Sequence, residues 1–203
     1  MHKNQNQLPE DDQYLWNALK HSDPIALNRL FTKHYTDLYF YGLKLSNNQD
    51  YVTDTIQDIF ANIWETRKRI SEVKHVKAYL FTALRNNLLK SKPKAFFIRL
   101  DTVINPIQEF GFDISPEDIY LGNESKRENI KIIKDLLADL SPKQKEIIYL
   151  KFYGNYSNTE ISKILSIKPQ SVANLLMRTI NLLRKKKNEN NLPIFNMLIF
   201  YLL

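Results

Sequence analysis

The chain of 203 residues contains no cysteine. That absence excludes a disulfide framework, a thiolate metal site and a cysteine nucleophile, and it suits a reducing compartment. Only 4 glycines are present, too few to supply the glycine-rich loops that cradle phosphates. The 4 histidines (His2, His21, His34 and His75) are scattered, and no two stand at metal-ligand spacing. No paired catalytic carboxylates or nucleophile triad can be picked out, so the chain reads as a non-enzyme without metal, cofactor or small-molecule substrate. Long apolar runs are also lacking. The most apolar stretch, LPIFNMLIFYLL at 192–203, carries Pro193 and Asn196 and falls short of the roughly 20 apolar residues that cross a bilayer. The opening MHKNQNQLPEDDQ has no apolar core of a signal peptide. A cytoplasmic protein without a membrane anchor is expected, with the apolar tail folding back as a short helix begun at Pro193.

What is present is positive charge, unevenly spread. The net charge is +7: residues 1–95 carry +4, residues 96–135 carry −3 and residues 136–203 carry +6. Two basic ends about an acidic middle suggest two polyanion-binding modules joined by a segment of another kind.

Helical periodicity dominates both ends. In DPIALNRLFTKHYTDLYFYGLKL, apolar residues recur at Ile25, Leu27, Leu30, Phe31, Tyr35, Leu38, Tyr39 and Leu43. Asp23 can cap that helix, and Pro24 suits its first position. The pattern returns at Val52, Ile56, Ile59, Phe60, Ile63 and Trp64, and again at Val76, Tyr79, Leu80, Ala83, Leu84 and Leu88. Three or four helices with short connections make a compact bundle. Residues 93–125 then hold three prolines, two glycines and scattered aromatics, and read as linker. Helix resumes near Glu124 and runs to Leu140. Ser141, Pro142 and Gln144 spell a capping box with proline at the first position; Ser157 and Glu160 repeat the box.

Three constellations carry chemistry. Residues 159–187 predict a helix-turn-helix. Ile161, Ile164 and Leu165 give the first helix its apolar face, and Ile167 plugs the turn. Pro169 starts the second helix, in which Val172, Leu175, Leu176 and Ile180 face inward. Gln170, Ser171, Asn174, Arg178 and Thr179 are left outward, and Gln, Asn and Arg can pair bidentately with base edges; a plain helical hairpin with polar exposed residues would show the same pattern. Arg184, Lys185 and Lys186, in a run with Lys187, are candidate phosphate contacts. Second, Asp54, Gln57, Phe60 and Trp64, with Asp58 beside them, form a stripe at helical spacing. It mixes carboxylate, amide and large aromatics, as an interface with aromatic anchors and a polar rim does; core aromatics beside solvated polar residues would give the same pattern. Third, AYLFTALRNNLLKSKPK sets Tyr79 and Phe81 near Arg85, Asn86 and Lys90. Cations that hold a backbone and rings that stack on bases suit single-stranded nucleic acid; an ordinary amphipathic helix with a basic end fits equally.

Taken in order, the three constellations resemble a sigma factor of the extracytoplasmic-function (ECF) type, over roughly residues 20–187. The resemblance implies that Asp54, Gln57, Asp58, Phe60 and Trp64 bind the clamp helices of RNA polymerase's largest subunit. It implies that Tyr79, Phe81, Arg85, Asn86 and Lys90 serve the melted downstream promoter element, and that Gln170, Ser171, Asn174 and Arg178 read the upstream element as duplex. An anti-sigma factor is an implied partner, beside core RNA polymerase and promoter DNA. The acidic middle would suit the polymerase's basic RNA channel. The chain departs from the family pattern at Tyr79, where tryptophan is usual, at Lys90, where aspartate is usual, and at Ser162 and Ser166, where alanine and glycine are common.

The expected fold is therefore all-α: an N-terminal helical bundle and a C-terminal helix-turn-helix domain joined by an extended linker. The expected boundaries are 1–95 for the first domain, 96–128 for the linker, 129–187 for the second domain and 188–203 for the tail. The expected function is promoter-specific initiation with core RNA polymerase. The alternative is a conventional helix-turn-helix regulator that does not replace a sigma factor.

Overall fold

The computed structural model describes residues 11–89, 110–111 and 137–190, with side chains through 186. Among them every regular element is a helix. The chain divides into two compact units, Met1–Asn105 and Pro106–Leu203.

The first unit is a four-helix bundle, and each of its first three helices starts at a side-chain cap. α1 (Asp12–Lys20) begins where the Asp11 carboxylate accepts the Gln13 N–H. α2 (Pro24–Leu45) begins where Asp23 accepts the N–H groups of Ile25 and Ala26, with Pro24 at the first position. α3 (Gln49–Thr66) begins where the Asn48 side chain accepts the Tyr51 N–H at 2.9 Å. Such caps satisfy N–H groups that a helix cannot pair internally. α4 (Val76–Leu88) has no side-chain cap.

The bundle core holds Leu15, Trp16 and Leu19 of α1, Leu30, Leu38 and Tyr41 of α2, Val52, Ile56 and Ile63 of α3, and Leu80 and Leu84 of α4, all buried. Large apolar side chains of this kind contribute about 1.5–3 kcal/mol each when fully buried. α2 and α3 come close at Gly42, where a Cβ would lie 2.5 Å from Val52 Cγ1. An ion pair, Lys77 Nζ to Asp37 Oδ2 at 2.8 Å, joins α4 to α2. The Tyr51 hydroxyl donates to the Asn87 carbonyl at 3.2 Å and so ties the start of α3 to the end of α4.

α1 lies outside the helices that the sequence pattern suggested. It is short and opens on polar residues, and only Leu15, Trp16 and Leu19 mark its buried face. Ile25 is exposed and Ala26 buried, because the face of α2 that meets the core runs through Ala26, Leu30, His34, Leu38 and Tyr41.

The second unit is built on two capping boxes, as expected from the spacing. α5 (Pro142–Ile148) starts at the Ser141–Gln144 box and continues into one wide π turn, Tyr149–Tyr153, closed by the Gly154 N–H on the Tyr149 carbonyl at 3.0 Å. α6 (Asn158–Ile164) starts at the Ser157–Glu160 box. α7 (Pro169–Asn190) follows. Phe110, within the stretch 96–128 expected to be linker, is buried and meets the Tyr149 ring edge-on at 5.8 Å. Of the helix expected from Glu124 to Leu140 only the end is described: 137–138 are helical, and Leu137 and Leu140 are buried. Residues 124–136 and the tail at 192–203 lie outside the described residues.

Candidate nucleic-acid interface

α6 and α7 form a helix-turn-helix. Ile161 and Ile164 of α6, Leu165 at its C-cap, and Val172, Leu176 and Leu183 of α7 are all buried in the core of the unit. Between the helices Ser166 adopts a left-handed conformation, φ 52, and the Ile167 N–H returns to the Ser162 carbonyl at 3.0 Å. Ile167 itself is half-buried. The two serines at departures from the family pattern are accommodated differently. The buried Ser162 turns its hydroxyl back onto the Thr159 carbonyl at 2.7 Å, so it needs no partner elsewhere. Ser166 carries a Cβ in a backbone region where glycine is at ease.

Gln170, Ser171, Asn174 and Arg178 are all exposed on α7. The Gln170 amide donates to Asn174 Oδ1 at 3.2 Å, which couples two exposed amide side chains one turn apart. Thr179, expected outward, is fully buried. Its hydroxyl donates to the Leu175 carbonyl at 2.8 Å, so a polar side chain enters the core already satisfied by its own helix. Arg184 and Lys185 are exposed, and Lys186 is ion-paired with Asp139.

The α3 stripe separates into two faces. Asp54, Gln57 and Asp58 are exposed. Phe60 is 4% exposed and packs edge-on against Phe31 of α2 at 5.1 Å, so it belongs to the core. Trp64 is half-buried, its ring covered by the Arg67 guanidinium at 4.0 Å. Arg67 is itself held by the Ser22 hydroxyl at 3.0 Å and the Trp64 carbonyl.

On α4 the aromatics are not displayed as an open stacking platform. Phe81 is buried against Tyr41, centroids 5.0 Å apart, because it stands on the face of α4 that meets α2. Tyr79 is half-buried and meets the Trp16 indole at 5.3 Å. Burial raises its phenol above the ordinary value of 10.0. Arg85 is buried as well. Asn86 is half-buried, and its Oδ1 is enclosed without a hydrogen-bond partner. Lys90 lies outside the described residues.

At the foot of the bundle, the Asp12 carboxylate of α1 lies 2.9 Å from Lys33 Nζ and 3.0 Å from the buried His34 Nε2 of α2. Burial raises the Asp12 pKa, but His34 and Lys33 together outweigh it, and the carboxyl titrates below its ordinary value of 3.8.

Residues 30–95 match Sigma-70 region 2, and residues 130–183 match Sigma-70, region 4, together more than half of the chain. The chain is 24% identical over 169 residues to the ECF RNA polymerase sigma factor SigL of Mycobacterium tuberculosis, spanning 83% of this chain and 92% of that one. The chain belongs to the sigma-70 family, as a sigma factor of the ECF type. This sigma factor has the fold of CnrH, solved in complex with the cytosolic domain of CnrY: the TM-score is 0.56 at 17% identity, over 88% of this chain and 97% of that one. The region 2 match takes in most of α2 and all of α3 and α4, and the region 4 match takes in α5, α6 and most of α7. α1, with Trp16 and Asp12, precedes the region 2 match and was missed in the sequence; its signal was the Leu15–Leu19 spacing behind the Asp11 cap. As a sigma factor the chain binds core RNA polymerase and directs promoter-specific initiation.

Among the described residues no helix is long and apolar enough to cross a membrane.

Proposed function

We propose that the sigma factor divides its work among three faces. Asp54, Gln57, Asp58 and the exposed part of Trp64 contact core polymerase, with Phe60 holding α3 in place from within the core. The end of α4, at the half-buried Asn86 beside the buried Arg85, serves the melted downstream element together with Lys90, which follows in sequence. Gln170, Ser171, Asn174 and Arg178 read the upstream element as duplex, and Arg184 and Lys185 meet its phosphates. The observation that carries this reading is the coupled, exposed row on α7, backed by a fully apolar or self-satisfied inner face. Side chains of those types pair with base edges, and the second helix of a helix-turn-helix is the one that enters the major groove.

The protein supplies binding and not chemistry: capture of unstacked bases offsets part of the melting cost, a few kcal/mol per base, and the polymerase does the rest. It works in the cytoplasm and is held in check by an anti-sigma factor. The domain limits are 1–95 and 129–187, with an acidic linker at 96–128 and the tail at 188–203.

Run-off transcription with purified core polymerase on a genomic promoter library tests this. The intact chain initiates at a defined promoter set. With Gln170, Asn174 and Arg178 replaced by Ala, promoter choice at the upstream element relaxes by about 1–3 kcal/mol per lost bidentate contact. Unchanged promoter choice would show that α7 is not the reader. Failure to bind core polymerase at all would favour a conventional regulator.

A further inference from the structure

One residue on the outer face of α7 is unlike the rest. Met177 is 57% exposed, the most exposed large apolar side chain among the described residues. The inner row of α7 is complete without it: Val172, Leu176, Thr179 and Leu183 are the buried positions. Seven residues make about two turns, so Met177 returns to the face that bears Gln170. Asn174 and Asn181, one turn to either side of it, and the adjoining Arg178 are exposed as well.

The chemistry of a base edge says what such a side chain can meet. Amides and guanidinium pair with nitrogen and oxygen atoms. The apolar group on the major-groove edge is the C5-methyl of thymine. Methionine is unbranched and polarizable, and adapts its shape to a small apolar target. The Gln170–Asn174 hydrogen bond fixes the neighbouring readers, which leaves Met177 as the flexible apolar member of the row. From Gln170 to Met177 the helix advances about 10 Å, the rise of about three base pairs at 3.4 Å each.

We propose that Met177 is a specificity-determining residue that packs on the methyl group of a thymine in the upstream element, about three base pairs from the base met by Gln170. The inference rests on the reading of α7 as the duplex reader and names one base of its target.

Thymine-to-deoxyuridine exchange tests it, because the exchange removes the methyl and leaves every hydrogen-bonding group in place. Holoenzyme is assembled from the full chain and core polymerase, and its affinity is measured for a promoter selected from a random upstream library. Each thymine of the element is exchanged in turn. At one thymine, affinity falls about fourfold, the factor that corresponds to about 0.8 kcal/mol per buried methyl group. With Met177→Ala the same exchange has no effect. Because Met177 is exposed, that variant keeps its fold, and a matching urea melt checks it. The proposal is overturned if no exchange matters to the wild type while Asn174→Ala and Arg178→Ala still lose specificity; the reader helix then stands and Met177 serves another contact, such as a protein. It is overturned equally if wild type and Met177→Ala lose the same factor. Absence of any sequence preference at the upstream element would remove the reading of α7 itself.

Discussion

The indole of Trp16 meets the ring of Tyr79 edge-on, centroids 5.3 Å apart and planes at 66°. The contact joins α1 to α4, and Trp16 is fully buried. Trp16→Ala should cost about 3–5 kcal/mol in a urea melt, from lost burial and the cavity left behind. Tyr79 loses its cover in the same variant. Its phenol is raised in the folded state by burial, so the native contact contributes stability that is present below the ordinary value of 10.0 and lost as pH rises through the folded value. Ultraviolet titration should show the Tyr79 phenol moving back toward its ordinary range in Trp16→Phe if the smaller ring admits water. An unmoved titration in both variants would place the cause of burial elsewhere.

Acid stability has the opposite sign. Asp12 is held below its ordinary pKa in the folded state, against the burial that opposes ionisation, by His34 and Lys33. Its contribution is therefore present above the unfolded value near 3.8 and lost as pH falls through the folded value. Asp12→Asn should flatten the dependence of stability on pH in that acid window and lower stability at neutral pH. Denaturant melts from pH 2 to 7 would reveal it; parallel curves for the two proteins would discount the interaction.

Phe60 and Trp64 should part company on substitution. Phe60→Ala removes a core ring packed on Phe31 and should cost about 3–5 kcal/mol of folding stability. Trp64→Ala removes a half-buried ring and should leave a folded protein whose affinity for core polymerase falls by about 2 kcal/mol or more, as for an interface anchor. Affinity for core polymerase and thermal unfolding, measured on both variants, separate the two roles. Undiminished polymerase binding by a folded Trp64→Ala protein would remove Trp64 from the interface.

Ser166→Gly should stabilise the second unit. Ser166 sits at φ 52, where a side chain costs of order 1 kcal/mol that glycine does not incur. The greater freedom of glycine in the unfolded chain offsets part of this, so a gain of about 0.5 kcal/mol is expected. A loss on substitution would mean that the Ser166 side chain makes a contact that outweighs the strain.

Much of this architecture was legible because its signals are local. The caps at Asp23, Ser141 and Ser157 are each written within four residues, and each is found in place. The exposed row at Gln170, Asn174 and Arg178 also followed from spacing alone. The misreadings have a common cause: polarity was taken as a proxy for direction. Thr179 is polar and buried because a carbonyl one turn back satisfies its hydroxyl. Phe81 neighbours a basic segment in sequence, yet α2 is what it faces. Periodicity identifies a face of a helix but not the neighbour that covers it, and so could not decide whether Phe60 was anchor or core. α1 was missed because so short a helix gains its stability from tertiary packing of Trp16 and its neighbours rather than from its own propensity.

The Lys186–Asp139 pair alters what DNA can gain from the basic end of α7. A phosphate that recruits Lys186 must displace a carboxylate, and so exchanges one anion for another. Lys185, which is exposed, would bring net charge neutralisation when it docks. Counterion release follows the phosphates that are newly neutralised, with a slope near 0.9 for each on duplex DNA. Arg184, Lys185 and Lys186 should therefore count as fewer than three cations in a salt titration, with Asp139 competing with phosphate for Lys186.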